Sequence, residues 1–336
     1  MAATPDNPDP GTPSPTVGRM TDADSAHHTA DSAHHTADSA HHTADSASMK
    51  AESAKAAKKR RRREPPPDPE LLPGLVDAHT HLAACGGRDA DSVRAILDHA
   101  ETVGVGQVVT VADDMIDARW ALDAAHWDDR AFAAVALHPT HAGELDDAAR
   151  AELEQMAADP RVVAIGETGL DYYWPGKSES AASPEVQKEA FAWHIDLAKR
   201  IGKPLMIHNR EADHDLLDIL AAEGSPDAVI MHCFSGDRNV ARECIDRGYF
   251  LSFAGTVTFA NAAELRESAH LVPDGQILVE TDAPFLTPHP YRGQPNQSYC
   301  LPYSARLLAD VRRTDEHTMA QTLGDNARRV YRLSLR

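Results

Sequence analysis

Cysteine is scarce in this 336-residue chain: Cys85, Cys233, Cys244 and Cys300 are scattered, and none forms a C-x-x-C pair. That spacing excludes a zinc knuckle and offers no disulfide framework, so a reduced, cytoplasmic setting is expected. Long apolar runs are missing as well. No stretch approaches the roughly 18 residues of a membrane span, and the start of the chain has no apolar core of the secretory kind. The sequence therefore predicts a soluble protein with no membrane association. Positive charge is in deficit, with 33 Lys and Arg against 52 Asp and Glu and a formal net charge of -19. An evenly acidic surface repels DNA and RNA, so any nucleic-acid substrate has to be held by a local feature.

What is present divides at about residue 73. Residues 1–73 open with Pro, Thr and Asp and repeat Ala-Asp-Ser-Ala-His-His-Thr at 23–29, 30–36 and 37–43. Ala is the only apolar group in the repeat, so a coiled coil would bury too little to offset its ordering entropy. The segment reads as a disordered, low-complexity tail whose six histidines (His27, His28, His34, His35, His41 and His42) offer at most incidental metal capture. Lys58 to Arg63 is an unbroken basic run leading into Pro65, Pro66 and Pro67, a charged, stiff linker with possible affinity for nucleic acid. The remainder, 74–336, holds 41 acids and 24 bases, so the body expected to fold is also the acidic part.

From Gly74 onward short apolar runs alternate with segments of helical period, the pattern of repeated βα units. Strands are predicted at 75–78, 107–111, 132–137, 162–165, 204–207, 228–231, 250–253 and 277–279. Candidate helices lie between them, such as 91–103, 146–158, 185–201, 212–222, 238–247 and 261–269, and a closing pair is predicted at 302–313 and 315–331. Eight strands with intervening helices favour a single α/β domain over 74–336, a (β/α)₈ TIM barrel, rather than an open sheet.

Chemistry-bearing residues recur at strand ends. Asp77-Ala78-His79-Thr80-His81 closes the first strand, and residues two apart on a strand share a face, so His79 and His81 can reach one metal. Glu167, His208, His232 and Asp282 follow later strands, and in a barrel such positions converge on one rim. Four imidazoles and two carboxylates exceed the needs of one catalytic zinc, so two divalent ions (Mg, Zn or Mn) sharing a bridge are the simpler count. Glu167 is the candidate bridge, with His79, His81 and Asp282 around one ion and His208 and His232 around the other. His99, His126, His194, His214, His270 and His317 fall on predicted outer helices and read as solvated or capping residues.

Seven ordered motifs carry a family resemblance. They are Asp-Ala-His-Thr-His (77–81), Leu-His-Pro (137–139), Gly-Glu-Thr-Gly-Leu-Asp-Tyr (166–172), His-Asn-Arg-Glu-Ala (208–212), His-Cys-Phe-Ser-Gly (232–236), Glu-Thr-Asp-Ala-Pro (280–284) and Asn-Ala-Arg-Arg-Val (326–330). From Gly74 to its C-terminus the chain resembles the TatD-related hydrolases within the amidohydrolase-like barrels. The resemblance implies a metal-dependent deoxyribonuclease that removes nucleotides from DNA 3′ ends, with the six residues above as its metal positions. The loop from Tyr172 to Ser183 is longer than the family pattern, and the N-terminal extension departs from it altogether.

As a mechanism, Asp282 orients or deprotonates an attacking water, Glu167 bridges, and His138 binds a phosphate or protonates the leaving 3′ oxygen, a structural rim imidazole being its alternative. Arg210 and Arg292 are candidates for the local positive charge; Asn296 and Tyr172 are candidates for contacting sugar or base. Two rivals stay open. One keeps the metal site but attacks a carbonyl, as a D-aminoacyl-tRNA deacylase, lactonase or amidase, since fold alone does not fix substrate. The other is a non-enzymatic binder of nucleic acid or metal acting through its tail.

Overall fold

A computed structural model describes residues 64–334. Within them eight strands run parallel in chain order: β1 (Leu75–Thr80), β2 (Val105–Val111), β3 (Ala131–Val135), β4 (Val162–Asp171), β5 (Leu205–Arg210), β6 (Val229–Met231), β7 (Phe250–Phe253) and β8 (Ile277–Val279). A bridge between Thr80 and Ala283 brings the chain after β8 back to β1. The expected (β/α)₈ barrel is thus the observed architecture.

Nine α-helices accompany the strands among the described residues. They are α1 (Ala90–Thr102), α2 (Met115–Trp127), α3 (Asp147–Ala157), α4 (Pro184–Ile201), α5 (Asp213–Glu223), α6 (Arg238–Asp246), α7 (Ala263–Leu271), α8 (Leu301–Arg312) and α9 (Glu316–Tyr331). Several start where a side chain satisfies the orphan amides of a first turn. Asp89, Asp114, Asp146, Ser183, Asp237 and Asp315 cap α1, α2, α3, α4, α6 and α9. None of the helices among the described residues is long and apolar enough to cross a membrane.

Alternation along the strands makes two apolar layers. Val76, Ala78, Val109, Val111, Phe132, Ala134, Met206, Ile230 and Leu278 fill the barrel, together with Ala327, Val330 and Tyr331 of α9. The Tyr331 hydroxyl donates to the Ala78 carbonyl at 2.9 Å, so α9 closes the end of the barrel opposite the strand C-termini. The alternate strand residues, such as Leu75, Val108 and Leu205, face outward and pack with the surrounding helices.

Two boundaries differ from the sequence-based expectation. Strand β4 runs to Asp171, because Gly169 pairs with His208 and Asp171 with Arg210. Glu167 and His208 therefore stand within strands rather than just beyond them. A Cβ at Gly169 would lie 2.1 Å from the His208 carbonyl oxygen, so a side chain there cannot coexist with this pairing. Packing also begins before Gly74: Leu72 is fully buried, and the Pro66 and Pro67 carbonyls accept from the Tyr299 and Tyr303 hydroxyls at 2.9 and 2.8 Å. The His-rich repeats and the Lys58–Arg63 run lie outside the described residues.

Candidate metal centre and its mouth

The barrel gathers residues from distant parts of the chain at its C-terminal rim. His79 Nε2 lies 3.2 Å from His81 Nε2, 3.4 Å from Glu167 Oε2 and 3.7 Å from Asp282 Oδ1. The other Glu167 oxygen, Oε1, lies 2.6 Å from His208 Nδ1 and 3.4 Å from His232 Nε2. One carboxylate thus faces two ligand clusters, one through each oxygen. Atoms bound to a tetrahedral zinc at about 2.0–2.2 Å stand roughly 3.4 Å apart, so the first cluster has the spacing of a coordination shell.

The outer nitrogens test that fit. His79 Nδ1 lies 3.1 Å from the Met206 sulfur, His208 Nε2 3.0 Å from Asp171 Oδ2, and His232 Nδ1 2.7 Å from Glu280 Oε1. Asp113 Oδ1 stands 3.8 Å from His81 Nδ1. The Met206 sulfur and the Asp171 carboxylate can only accept, so a proton on His79 Nδ1 and on His208 Nε2 leaves a lone pair on the inward nitrogen of each, while Glu280 and Asp113 set negative charge near the outer nitrogens of His232 and His81. The donor set therefore suits a borderline divalent cation.

Electrostatics agree. Burial depresses every imidazole here, but at His232 Glu280 and Glu167 outweigh it and lift the pKa to about 10. Burial is likewise outweighed at His208 by Asp171 and Glu167, and at His81 by Asp282 and Asp113, giving about 9 for each. At His79 burial and the neighbouring His232 win, and its pKa is lowered. Burial would raise Glu167, yet His232, His208 and His79 hold it well below the usual carboxylate range. A buried carboxylate balanced by imidazole protons is a site where a cation competes with those protons. Asp282 itself adopts φ 49°, a left-handed conformation that a non-glycine residue holds at some cost, with its amide on the His79 carbonyl at 3.0 Å.

His138 stands beside the second cluster, its Nε2 3.3 Å from His208 Nδ1 and 3.8 Å from Glu167 Oε1. The Thr140 amide donates to its Nδ1 at 3.2 Å, which leaves the ring proton on Nε2. The mouth above is a cavity of about 900 Å³ that His138, Trp174, Arg210 and Phe285 help to line.

Other sequence candidates lie differently. Asn296 is 1% exposed, and its Nδ2 donates to the Thr281 and Phe285 carbonyls at 3.0 and 2.5 Å. That amide nitrogen clamps the loop after β8. The Tyr172 hydroxyl is committed to Asp215 at 2.7 Å. Arg292 stacks over Phe259, 4.4 Å from the ring centroid, one layer behind the mouth. His194, read from the sequence as solvated or capping, is fully buried on α4. Asp113, Asp171 and Glu280 were passed over, although each is a strand-end acid and the last two fall inside quoted motifs.

A parallel eight-stranded barrel whose rim carries four imidazoles and two carboxylates in contact defines the class of metal-dependent barrel hydrolases. The chain belongs to the TatD-related DNase family, whose model matches residues 76–332. A Mycobacterium tuberculosis protein named as an uncharacterized metal-dependent hydrolase TatD is 62% identical over 261 residues, covering 77% of this chain and 98% of its own. A Musicola paradisiaca protein named 3′-5′ ssDNA/RNA exonuclease TatD is 32% identical over 247 residues, covering 71% of this chain and 91% of its own. The solved structure of a TatD homologue from Escherichia coli K12 superposes with a TM-score of 0.70 at 27% identity, covering 79% of this chain and all of that one.

Proposed function

We propose that the protein is a phosphodiesterase of the deoxyribonuclease type, trimming DNA from a 3′ end with two divalent ions. The observation that carries this reading is Glu167, one of whose oxygens faces His79 while the other faces His208 and His232, the arrangement a bridging carboxylate needs. His79, His81 and Asp282 would complete one ion's shell, and His208 and His232 the other's. Ions bound there would lower the pKa of an attacking water and neutralise charge on the phosphoryl oxygens.

The chain's own groups do the rest. Asp282, at the rim, orients the water and accepts its proton. His138 presents its Nε2 proton toward the phosphoryl group, as a hydrogen-bond donor in the state held by Thr140. Arg210 supplies positive charge at the mouth of an otherwise acidic body.

The test is Glu167→Ala in the full chain, assayed on a 3′-labelled oligonucleotide and on a panel of esters and lactones, with metal content measured in parallel. Turnover should fall about a hundred- to a thousandfold, on the order of losing a principal electrostatic contribution, and metal content should drop. Full oligonucleotide turnover in the variant would remove the bridge, and ester or lactone turnover without nuclease activity would replace the substrate.

A further inference from the structure

The loop after β4 carries an arrangement that neither the fold nor the ligand set requires. Tyr173 lies between two cations: Lys177 Nζ is 3.4 Å from its ring centroid and Arg210 Cζ 3.7 Å. At those distances the two must sit on opposite faces of the ring. Neither cation has an ion-pair partner among the described residues, so their N–H groups remain free for an anion. Beside them Trp174 is 40% exposed and lines the mouth, with Arg210 5.9 Å from its ring.

The loop is anchored to the metal centre itself. Asp171 Oδ1 accepts the Tyr173 and Trp174 amides at 2.9 and 3.1 Å, while its other oxygen meets His208 Nε2 at 3.0 Å. The Lys177 and Ser178 amides return to the Trp174 carbonyl at 2.9 and 3.1 Å and close a turn. Across the mouth, on the loop after β8 and so diametrically opposite in an eight-stranded barrel, Phe285 is 56% exposed. An aromatic face at a nucleic-acid groove is a sequence-tolerant surface for stacking bases, because every base presents a π-face.

We infer that Trp174 is a stacking platform for an unpaired nucleobase next to the scissile linkage, that Arg210, braced by Tyr173, holds the adjoining phosphate, and that Lys177, on the other face of the Tyr173 ring, holds the next phosphate along the strand. These are specificity-determining residues, and the assignment rests on the nuclease reading above. Base stacking on an aromatic ring contributes about 1–3 kcal/mol per base, roughly five- to a hundredfold in affinity. The paired cations answer the local need for positive charge that the net charge of -19 creates.

The experiment compares wild type, Trp174→Ala, Trp174→Phe and Lys177→Gln on a short single-stranded oligonucleotide, on the same oligonucleotide with abasic sites near its 3′ end, and on bis(4-nitrophenyl) phosphate. For Trp174→Ala the oligonucleotide KM should rise about tenfold with kcat within a few-fold, and Trp174→Phe should recover most of the loss. The abasic substrate should bind wild type as weakly as the intact one binds Trp174→Ala. A phosphorothioate oligonucleotide should also quench tryptophan emission in wild type and much less in Trp174→Phe. If wild type cleaves the oligonucleotide but Trp174→Ala shows the same KM, or if all three substrates decline in parallel, the platform is refuted and the nuclease reading stands. If wild type cleaves no oligonucleotide while hydrolysing another substrate, both fall together.

Discussion

Glu280 is fully buried beneath the second ligand cluster, where its Oε1 meets His232 Nδ1 at 2.7 Å and accepts the Cys233 amide at 2.9 Å. That carboxylate sets a negative charge against the outer nitrogen of His232, which favours a proton there and leaves Nε2 toward Glu167. Such outer partners commonly contribute ten- to a hundredfold in metal affinity. Glu280→Gln is therefore expected to weaken metal binding by about that factor while circular dichroism stays that of wild type, as measured by metal retention against a buffered chelator. Retention equal to wild type would mean that packing against His79, whose ring stacks on His232 at 3.5 Å, already fixes the ring. The inward-facing set was legible in the sequence because His79, His81, Glu167, His208, His232 and Asp282 all follow one positional rule. Asp113, Asp171 and Glu280 obey the same rule, but sequence does not say which strand-end acid faces the cavity and which stands behind an imidazole. Asn296 shows a related limit of sequence, since an amide in a loop near the rim can serve the loop's own carbonyls, as its Nδ2 does here, as readily as a sugar.

At the scale of elements, periodicity worked where burial was one-sided and large. Helix α4, with Phe191, Ile195 and Leu197 buried, was predicted at 185–201 and observed at Pro184–Ile201. Helix α2 was not among the named segments, and its buried face explains why: apart from Met115 it is Ala118, Ala121, Ala124 and Ala125, too small to stand out as a stripe. The expected strand 162–165 stops short of Gly166 and Gly169, whereas Gly169 is what allows β4 and β5 to approach. His194 shows how an element can hide its own anchor. Its Nδ1 donates to the Ala190 carbonyl at 2.7 Å and its Nε2 accepts the Leu137 amide at 3.3 Å, tying α4 to the segment after β3. Burial pushes its pKa down to about 4 from an ordinary 6.5. The unfolded chain therefore takes up the proton first, so the stability this neutral imidazole contributes is intact above 6.5 and is lost as pH falls toward 4. Between about pH 7 and pH 5 the loss is about 2 kcal/mol at 1.36 kcal/mol per unit. Urea unfolding of wild type and His194→Gln at both pH values should show a pH-dependent loss smaller by that amount in the variant; equal losses would show that the buried imidazole is not what titrates.

For the whole molecule the governing fact is charge. On the proposed function, a chain with a formal net charge of -19 concentrates its attraction for a nucleic-acid strand near the mouth, where Arg210 and, across the Tyr173 ring, Lys177 have no ion-pair partner among the described residues. Counterion release makes this measurable, because the slope of log affinity against log salt is about -0.7 per phosphate neutralised on a single strand. Two protein cations at the mouth predict a shallow slope, about -1 to -2, for a short single-stranded oligonucleotide at fixed metal concentration, and Lys177→Gln should reduce its magnitude by about 0.7. A slope near -5 or steeper would mean that a larger basic surface takes part, and Lys58 to Arg63 is the run of six consecutive bases able to provide it. Replacing those six residues by Gln in the full chain then separates the two cases: a mouth-only grip leaves the slope where it was, whereas a tail that embraces the strand loses roughly four in slope and most of its affinity at low salt, with kcat on bis(4-nitrophenyl) phosphate the same in both.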